Sequence, residues 1–416
     1  MQETTGQIFR LKNTIRNYAW GSYDGLSKYA GIAVDRGKPS AEYWMGSLPA
    51  APSSVILPDG TTLSLQKFIH AQPIKTLGDE VFSEYGDLPF LFKVLSASMP
   101  LSIQVHPDKQ KAEEGFDREE KRGLPRLALE RNYKDRNHKP ELAVALSRFS
   151  ALCGFRQAGE AVALLGPELC AFLDFSPDKG KGAFRSLLGK ALTFGEKDRL
   201  VLEGKAVLRA RQLAKSDDAD ARICGETTLL CFKHYPHDSG AISPFFMSIR
   251  RLEPGQGLYI PAGVMHAYLE GTILEIMATS DNVIRGGLTH KHIDIEDLLN
   301  ILDFDAEPLL VEPHRNDARP QETTWRTPAR EFSLSRIDMA QSPAKALELA
   351  PTGPEILLCT EGSFSIACGI PRGAPSGTDL KQGESAFIGA ACRSYILKGS
   401  GTLYRAGAGM AIEAGL

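Results

Sequence analysis

The stretch Leu101-Ser102-Ile103-Gln104-Val105-His106-Pro107-Asp108 alternates apolar and polar side chains with a period of two. In a strand this sends Ser102, Gln104 and His106 to one face and Leu101, Ile103 and Val105 to the other. An apolar core takes the second face, and the first suits a cavity that holds something polar. A second segment, Asn137-His138-Lys139-Pro140-Glu141, heads the apolar run Leu142–Leu146. Pro140 cannot donate to a ladder and marks the entry of a strand. Glu141 then needs a cation or donors to offset its desolvation, and Lys139, two residues away, can share its face. A third segment, Pro261-Ala262-Gly263-Val264-Met265-His266, reads as a turn that projects His266 from the start of a strand. Beyond Gly271 that strand carries Glu275 among apolar neighbours from Thr272 to Met277.

Each segment alone has an ordinary explanation: a half-exposed strand, an ion-paired glutamate, a structural histidine. Together they supply two imidazoles, a carboxylate and a carboxamide from three separated strands, a mixed nitrogen and oxygen donor set suited to zinc or another first-row divalent ion. A catalytic zinc site keeps one position open, and neighbouring oxygens of a sugar are suitable occupants. A fourth segment runs from Asp281 to Lys291. There Arg285 ends a strand at Gly286-Gly287, where small residues let a ligand approach the backbone. The planar fork of Arg285 and the compact charge of Lys291 suit a phosphate; alone, they would be an exposed basic turn.

The elements that must position these groups fall into three textures. Up to about Phe155, short apolar runs broken by Gly, Pro and Asn predict strands of a sandwich or barrel. From Gln157 to about Cys231, segments rich in Ala, Leu, Lys and Arg predict a helical insertion ending near the acidic run Asp217–Asp220. Strand texture returns at Phe245–Leu252, a short helix is expected within Ile295–Phe304, and a Pro- and Arg-rich linker lies around Glu307–Pro320. The tail from Phe332 again reads as strands with Gly-rich turns, and it contains no histidine. The expected division is a discontinuous site-bearing domain (1–155 and 233–315), a helical insertion (156–232) and a C-terminal β domain (316–416).

The 416 residues exceed one ordinary core, and 43% hydrophobic with 24% charged residues is the balance of a soluble globular protein. A formal net charge of −3 gives no reason to expect nucleic acid or an anionic membrane as partner. No run of 18 apolar residues exists for a membrane span, and no signal peptide is read at the N-terminus. The seven cysteines include no C-x-x-C pair, consistent with thiols in a reducing cytoplasm rather than a cysteine zinc site. No Walker or Rossmann glycine loop is present.

At the level of whole motifs, the chain resembles the type I mannose-6-phosphate isomerases. The blocks are NYAWGS (17–22), PSAEYWMGSLPAAPS (39–53), LPFLFKVLSASMPLSIQVHPDK (88–109), NHKPELA (137–143), YIPAGVMHAYLEG (259–271) and SDNVIRGGLTHKHID (280–294). They stand in family order over roughly the first 300 residues. The resemblance implies a mainly β fold with two cupin-like jelly-roll barrels and an inserted helical domain. It implies one Zn2+ on Gln104, His106, Glu141 and His266, and an active-site Arg285, with Ser102, Lys139, Glu275 and Lys291 lining the same pocket. His290 departs from the proline that many relatives carry there.

The implied activity is aldose–ketose isomerisation of a sugar phosphate in cytoplasmic carbohydrate metabolism, by a monomer. Such a reaction moves a proton between C2 and C1 through an enediol. Glu275 and Lys139 are both candidates for the proton-transferring group, and the sequence leaves that choice open; Ser102, Arg285 and Lys291 would hold the substrate. Two competing readings carry less support. A non-catalytic sugar-phosphate-binding cupin would lose the base or the phosphate cations, which are all here. A cupin oxygenase would favour H-x-H where this chain has Gln104-Val105-His106.

Overall fold

A period-two strand is only as useful as the surface its apolar face can cover, and in this chain that surface is helical. Ile103 and Val105 are fully buried in one cluster with Ala206, Ala210, Leu213 and Cys224 of the insertion and with Phe245 beyond it, which leaves the polar side of the same strand turned toward the site. Each large apolar side chain buried this way contributes about 1.5–3 kcal/mol. The computed structural model describes residues 8–126, 128–179, 182–339, 346–368 and 377–409.

Among the described residues the strands form two antiparallel sheets of eleven strands each. The site-bearing sheet runs in the order Leu309–Val311, Gly257–Ile260, Glu141–Ala145, His266–Ala278, Phe90–Ala97, Glu42–Met45, Thr14–Arg16. The strands Phe149–Phe155, Met247–Leu252, Ile103–Val105 and Ile284–Gly287 pair alongside this path. The C-terminal sheet is centred on the long strands Glu355–Cys368 and Tyr395–Gly407. The two sheets share one apolar cluster, in which Phe92, Val94, Leu274 and Ile276 meet Phe332, Leu334, Ile356, Leu358 and Phe387.

The strand His266–Ala278 joins the parts of the site. Its second half lies between Phe90–Ala97 and Glu141–Ala145, with Glu275 opposite Lys93 on one side and Ala143 on the other. Its first half pairs with Gln104 and with Phe149–Phe155. One strand serves both sets of neighbours because Gly271, at φ +113°, bends it between them. A Cβ there would press into the carbonyl oxygen of Arg148, and L side chains rarely adopt that φ.

The helical insertion is built from Ala158–Leu173, Gly182–Thr193, Glu196–Leu213 and Ala219–His234. The acidic run Asp217–Asp220 does not end it, as expected from sequence, but starts its last helix. The Asp218 carboxylate accepts from Ala221 N at 2.8 Å and caps Ala219–His234. The expected short helix is present as Ile295–Ile301.

Two features depart from the sequence reading. Helices occur within the first 155 residues, at Leu65–Ala71, Pro73–Leu77, Asp79–Tyr85 and Lys109–Lys121. The last of these buries only Ala112, Gly115, Phe116 and Glu119 in an otherwise charged segment, so its helical periodicity is faint. The strands Ile8–Lys12, Ser54–Ile56 and Thr62–Ser64 also belong to the C-terminal sheet, Ile8–Lys12 pairing with Ser385–Ile388. The sheets therefore do not follow a division of the chain at residue 316. An alternating five-residue strand specifies which face is buried but not which sheet edge receives it.

Replacing Gly271 with alanine is expected to lower stability by about 2–4 kcal/mol through combined strain and clash. The denaturation midpoint of the purified variant checks this, and an unchanged midpoint would contradict the bend as described.

Candidate metal centre and substrate pocket

Three strand ends converge where the polar face of Ile103–Val105 meets the entry of Glu141–Ala145 and the first residue of His266–Ala278. His106, Glu141 and His266 are each at most 2% exposed. Their donor atoms all lie within 4.8 Å of one another. His106 Nε2 stands 3.2 Å from Glu141 Oε1, and His266 Nε2 stands 3.4 Å from Glu141 Oε2.

The second ring nitrogens fix what those contacts are. His106 Nδ1 lies 2.7 Å from the carbonyl of Asn282, and His266 Nδ1 lies 3.0 Å from the carbonyl of Val264. A carbonyl only accepts, so both Nδ1 atoms carry a proton, and the neutral tautomer that this selects presents a bare Nε2 lone pair. Glu141 Oε2 and His266 Nε2 accordingly make no hydrogen bond although they sit together in the interior. Two buried acceptors facing each other are unfavourable unless a cation lies between them. Donors bonded at about 2.0–2.1 Å to one tetrahedral ion are about 3.3 Å apart, which is the spacing seen here. The residues present fit a divalent metal.

The local electrostatics favour the required protonation states. Burial, then the nearby Lys139 charge, depresses the His106 pKa to about 4, so the ring stays neutral. Burial alone would raise the Glu141 carboxyl, but Lys139 and the two histidines outweigh it and hold it well below the usual range. Lys139 Nζ is 2.9 Å from Glu141 Oε1 and 3.4 Å from His106 Nε2.

Glu275 lies nine residues along from His266, on the same face of the strand as Ile273. It is 1% exposed, accepts from the Tyr268 hydroxyl at 2.6 Å and is in close ionic contact with Lys93. Lys93 also donates to Glu42 at 3.2 Å, and Glu42 accepts from Trp44 Nε1 at 3.1 Å. Burial raises the Glu275 carboxyl, partly opposed by Lys93. This chain of Glu42, Lys93, Glu275 and Tyr268 was missed from sequence apart from Glu275. The signal was a lone lysine in FLFKVLSA, a strand buried along its whole length.

Gln104 sits in the ladder opposite both His266 and Arg285, at the edge of the cluster. Ser102 is half-buried just before that strand. Arg285 is half-buried, and burial lowers its pKa from the ordinary guanidinium value. Lys291 lies farther out on an exposed loop. Its pKa is lowered by burial and then by Arg285 and Lys134, so the three cations share one region.

A second omission is Asn282, which is fully buried. Its side-chain oxygen accepts from the backbone N–H of Lys134 at 2.7 Å and of Asp135 at 3.1 Å. Its amide donates to the carbonyls of Asp135 and Asn137 at 2.8 and 2.9 Å. These bonds hold rigid the backbone carbonyl that orients His106. Replacing Asn282 with alanine is expected to weaken divalent-metal affinity roughly 10–100-fold, read by titrating metal-stripped protein with Zn2+; wild-type affinity would contradict the positioning role. His266→Ala is expected to remove bound metal altogether, and an alanine variant that retains stoichiometric metal would refute the ligand set.

Residues 8–158 match the family model described as phosphomannose isomerase type I, catalytic domain. The mannose-6-phosphate isomerase of Escherichia coli K12 is 38% identical over 408 residues, covering 95% of this chain and 98% of that protein. The human mannose-6-phosphate isomerase is 32% identical over 410 residues, covering 92% and 94%. A solved variant of the Salmonella typhimurium phosphomannose isomerase superposes with a TM-score of 0.86 at 34% identity, covering 97% of this chain and all of that one. A zinc-bound mannose 6-phosphate isomerase structure gives 0.85 at 35% identity with the same coverage. With identity above 30% over almost its whole length, and with the buried donor cluster within the matched blocks, the chain belongs to the type I phosphomannose isomerases.

Proposed function

We propose that this protein interconverts mannose 6-phosphate and fructose 6-phosphate, with one zinc ion held by His106, Glu141, His266 and Gln104. The observation that carries the reading is the pair of buried imidazole Nε2 atoms facing one carboxylate at 3.2 and 3.4 Å, in a chain of this family. Zinc when bound would act as a Lewis acid and template for the two adjacent sugar oxygens.

The protein's own groups divide the remaining work. Arg285 and Lys291 receive the phosphate, which fixes the reacting end of the sugar over the donor cluster. Arg285 makes no ion pair or side-chain hydrogen bond among the described residues, so its fork is available to an anion. Lys139 is our assignment for the group that carries the proton between C2 and C1, taking it as the free amine and returning it as the ammonium, because its Nζ stands against two of the donors. Glu275 is committed to Lys93 and Tyr268. We assign it to holding that buried charge network, with Ser102 at the substrate side of the strand. The finer reading, two cupin-type jelly-rolls in a cytoplasmic monomer, rests on the motif resemblance. No helix among the described residues is long and apolar enough to cross a membrane.

A coupled assay with mannose 6-phosphate tests the reading. Activity is expected to vanish after chelation and return with Zn2+; persistent activity in stripped protein would contradict it. Arg285→Ala is expected to lower kcat/KM for mannose 6-phosphate by at least about 100-fold, as for a lost charge-assisted contact of about 3 kcal/mol. Unchanged kinetics would remove Arg285 from the site.

A further inference from the structure

The loop that carries Lys291 is not held by the sheet that carries the metal donors. It leaves the strand Ile284–Gly287 through a break in register between Arg285 and Gly287 against Ile103–Val105. It then passes through two residues with left-handed backbone, Gly287 at φ +139° and Leu288 at φ +50°. A leucine in that conformation is costly and persists only where its surroundings over-determine it. What determines it here is the exit of the helical insertion.

Asp238 follows the insertion's last helix, after His237, which is itself left-handed at φ +64°. One carboxylate oxygen of Asp238 accepts from Gly240 N at 2.7 Å. The other reaches across to the loop and accepts from Thr289 N at 2.9 Å. Thr289 in turn accepts, through its hydroxyl, from the backbone N–H of Lys291 at 3.1 Å. Beneath this clasp the two backbones touch: a Cβ on Gly240 would lie 2.6 Å from Gly287 Cα, and one on Gly287 would lie 2.6 Å from Gly240 Cα. The clasp forms one wall of a cleft of about 540 Å3 lined by His237, Asp238, Ser239, Thr289, His290 and Lys291.

We infer that Asp238 is a positioning residue for the phosphate end of the site, and that the helical insertion serves the reaction by holding the Thr289–Lys291 loop in register with Arg285. Asp238 does not touch the substrate. It acts through Thr289, and it places Lys291 relative to Arg285, one segment away on the same chain. The inference rests on the assignment of Arg285 and Lys291 to the phosphate, and it adds a residue outside all the matching motifs. An aspartate is required because both of its partners are N–H donors. An asparagine can accept from one of them but turns its amide N–H2 toward the other.

The test compares Asp238→Ala, Asp238→Asn and Gly240→Ala with the parent as zinc-loaded full chains. The measured quantities are KM and kcat for mannose 6-phosphate, the competitive inhibition constant of inorganic phosphate, and bound zinc per chain. The alanine variant at 238 is expected to raise both KM and the phosphate inhibition constant about tenfold, with zinc content full and kcat within about twofold. Asp238→Asn is expected to show a smaller shift in the same two constants. Gly240→Ala, which leaves the carboxylate intact but forces the backbones apart, is expected to reproduce the Asp238→Ala pattern. If the parent is active and folded Asp238→Asn and Gly240→Ala both keep parental KM and phosphate inhibition, the inference is overturned. The same holds if the variants lose kcat and zinc together while KM is unchanged, since the clasp would then support the metal centre instead. A parent chain with no isomerase activity would overturn the functional reading itself and not the clasp.

Discussion

Two buried imidazole Nε2 atoms held against a buried carboxylate form a constraint to which much of this structure answers. Left to themselves these three groups repel or go unsatisfied in a medium where an unpaired polar atom costs on the order of 1–3 kcal/mol. The protein keeps them together through backbone carbonyls that take the Nδ1 protons and a lysine whose charge offsets the carboxylate. A divalent cation turns the same arrangement from a cost into a binding site. The carbonyl of Asn282 and the amide lattice around it follow from this requirement, because a histidine that rotates loses the lone pair's direction.

The larger elements can be read as consequences of bringing those side chains to one point. His106, Glu141 and His266 are separated by 35 and 125 positions in the chain, which local structure cannot span. A strand bent at Gly271 supplies the junction, meeting the Gln104 strand with one half and the Glu141 strand with the other. The helical insertion covers the apolar back of Ile103 and Val105, so that the front can be polar. The C-terminal sheet seals the outer face through Leu274 and Ile276. None of its residues lies in the donor cluster, in keeping with a tail that has no histidine.

How much of this was legible in the sequence depends on the range of the signal. Period-two alternation placed Ile103 and Val105 together on one buried face, because facing is a local property of a strand; Leu101 lies before the strand and packs in a different apolar cluster. Glu141 and Glu275 stood out because a carboxylate inside an apolar run has few cheap explanations. Lys93 carries the same signal and was passed over, since its partner Glu42 lies 51 positions earlier and only pairing of the strands brings them together. Asn282 was invisible as an orienting residue: it acts through its backbone carbonyl, to which side-chain chemistry gives no clue. The charged helix Lys109–Lys121 escaped because its apolar stripe rests mainly on Ala112 and Phe116. The crossing of Ile8–Lys12 into the C-terminal sheet escaped because partner choice is a property of the assembled sheets.

The central claim is that four side chains from three segments remote in sequence hold one metal ion, and anomalous diffraction at the zinc edge from crystals of the Zn2+-loaded protein addresses it without reference to activity. The account predicts a single strong peak at bonding distance, about 2.0–2.2 Å, from His106 Nε2, His266 Nε2 and a Glu141 oxygen, with the Gln104 carboxamide completing the donors. A peak elsewhere, or none at this cluster in fully loaded protein, would contradict it.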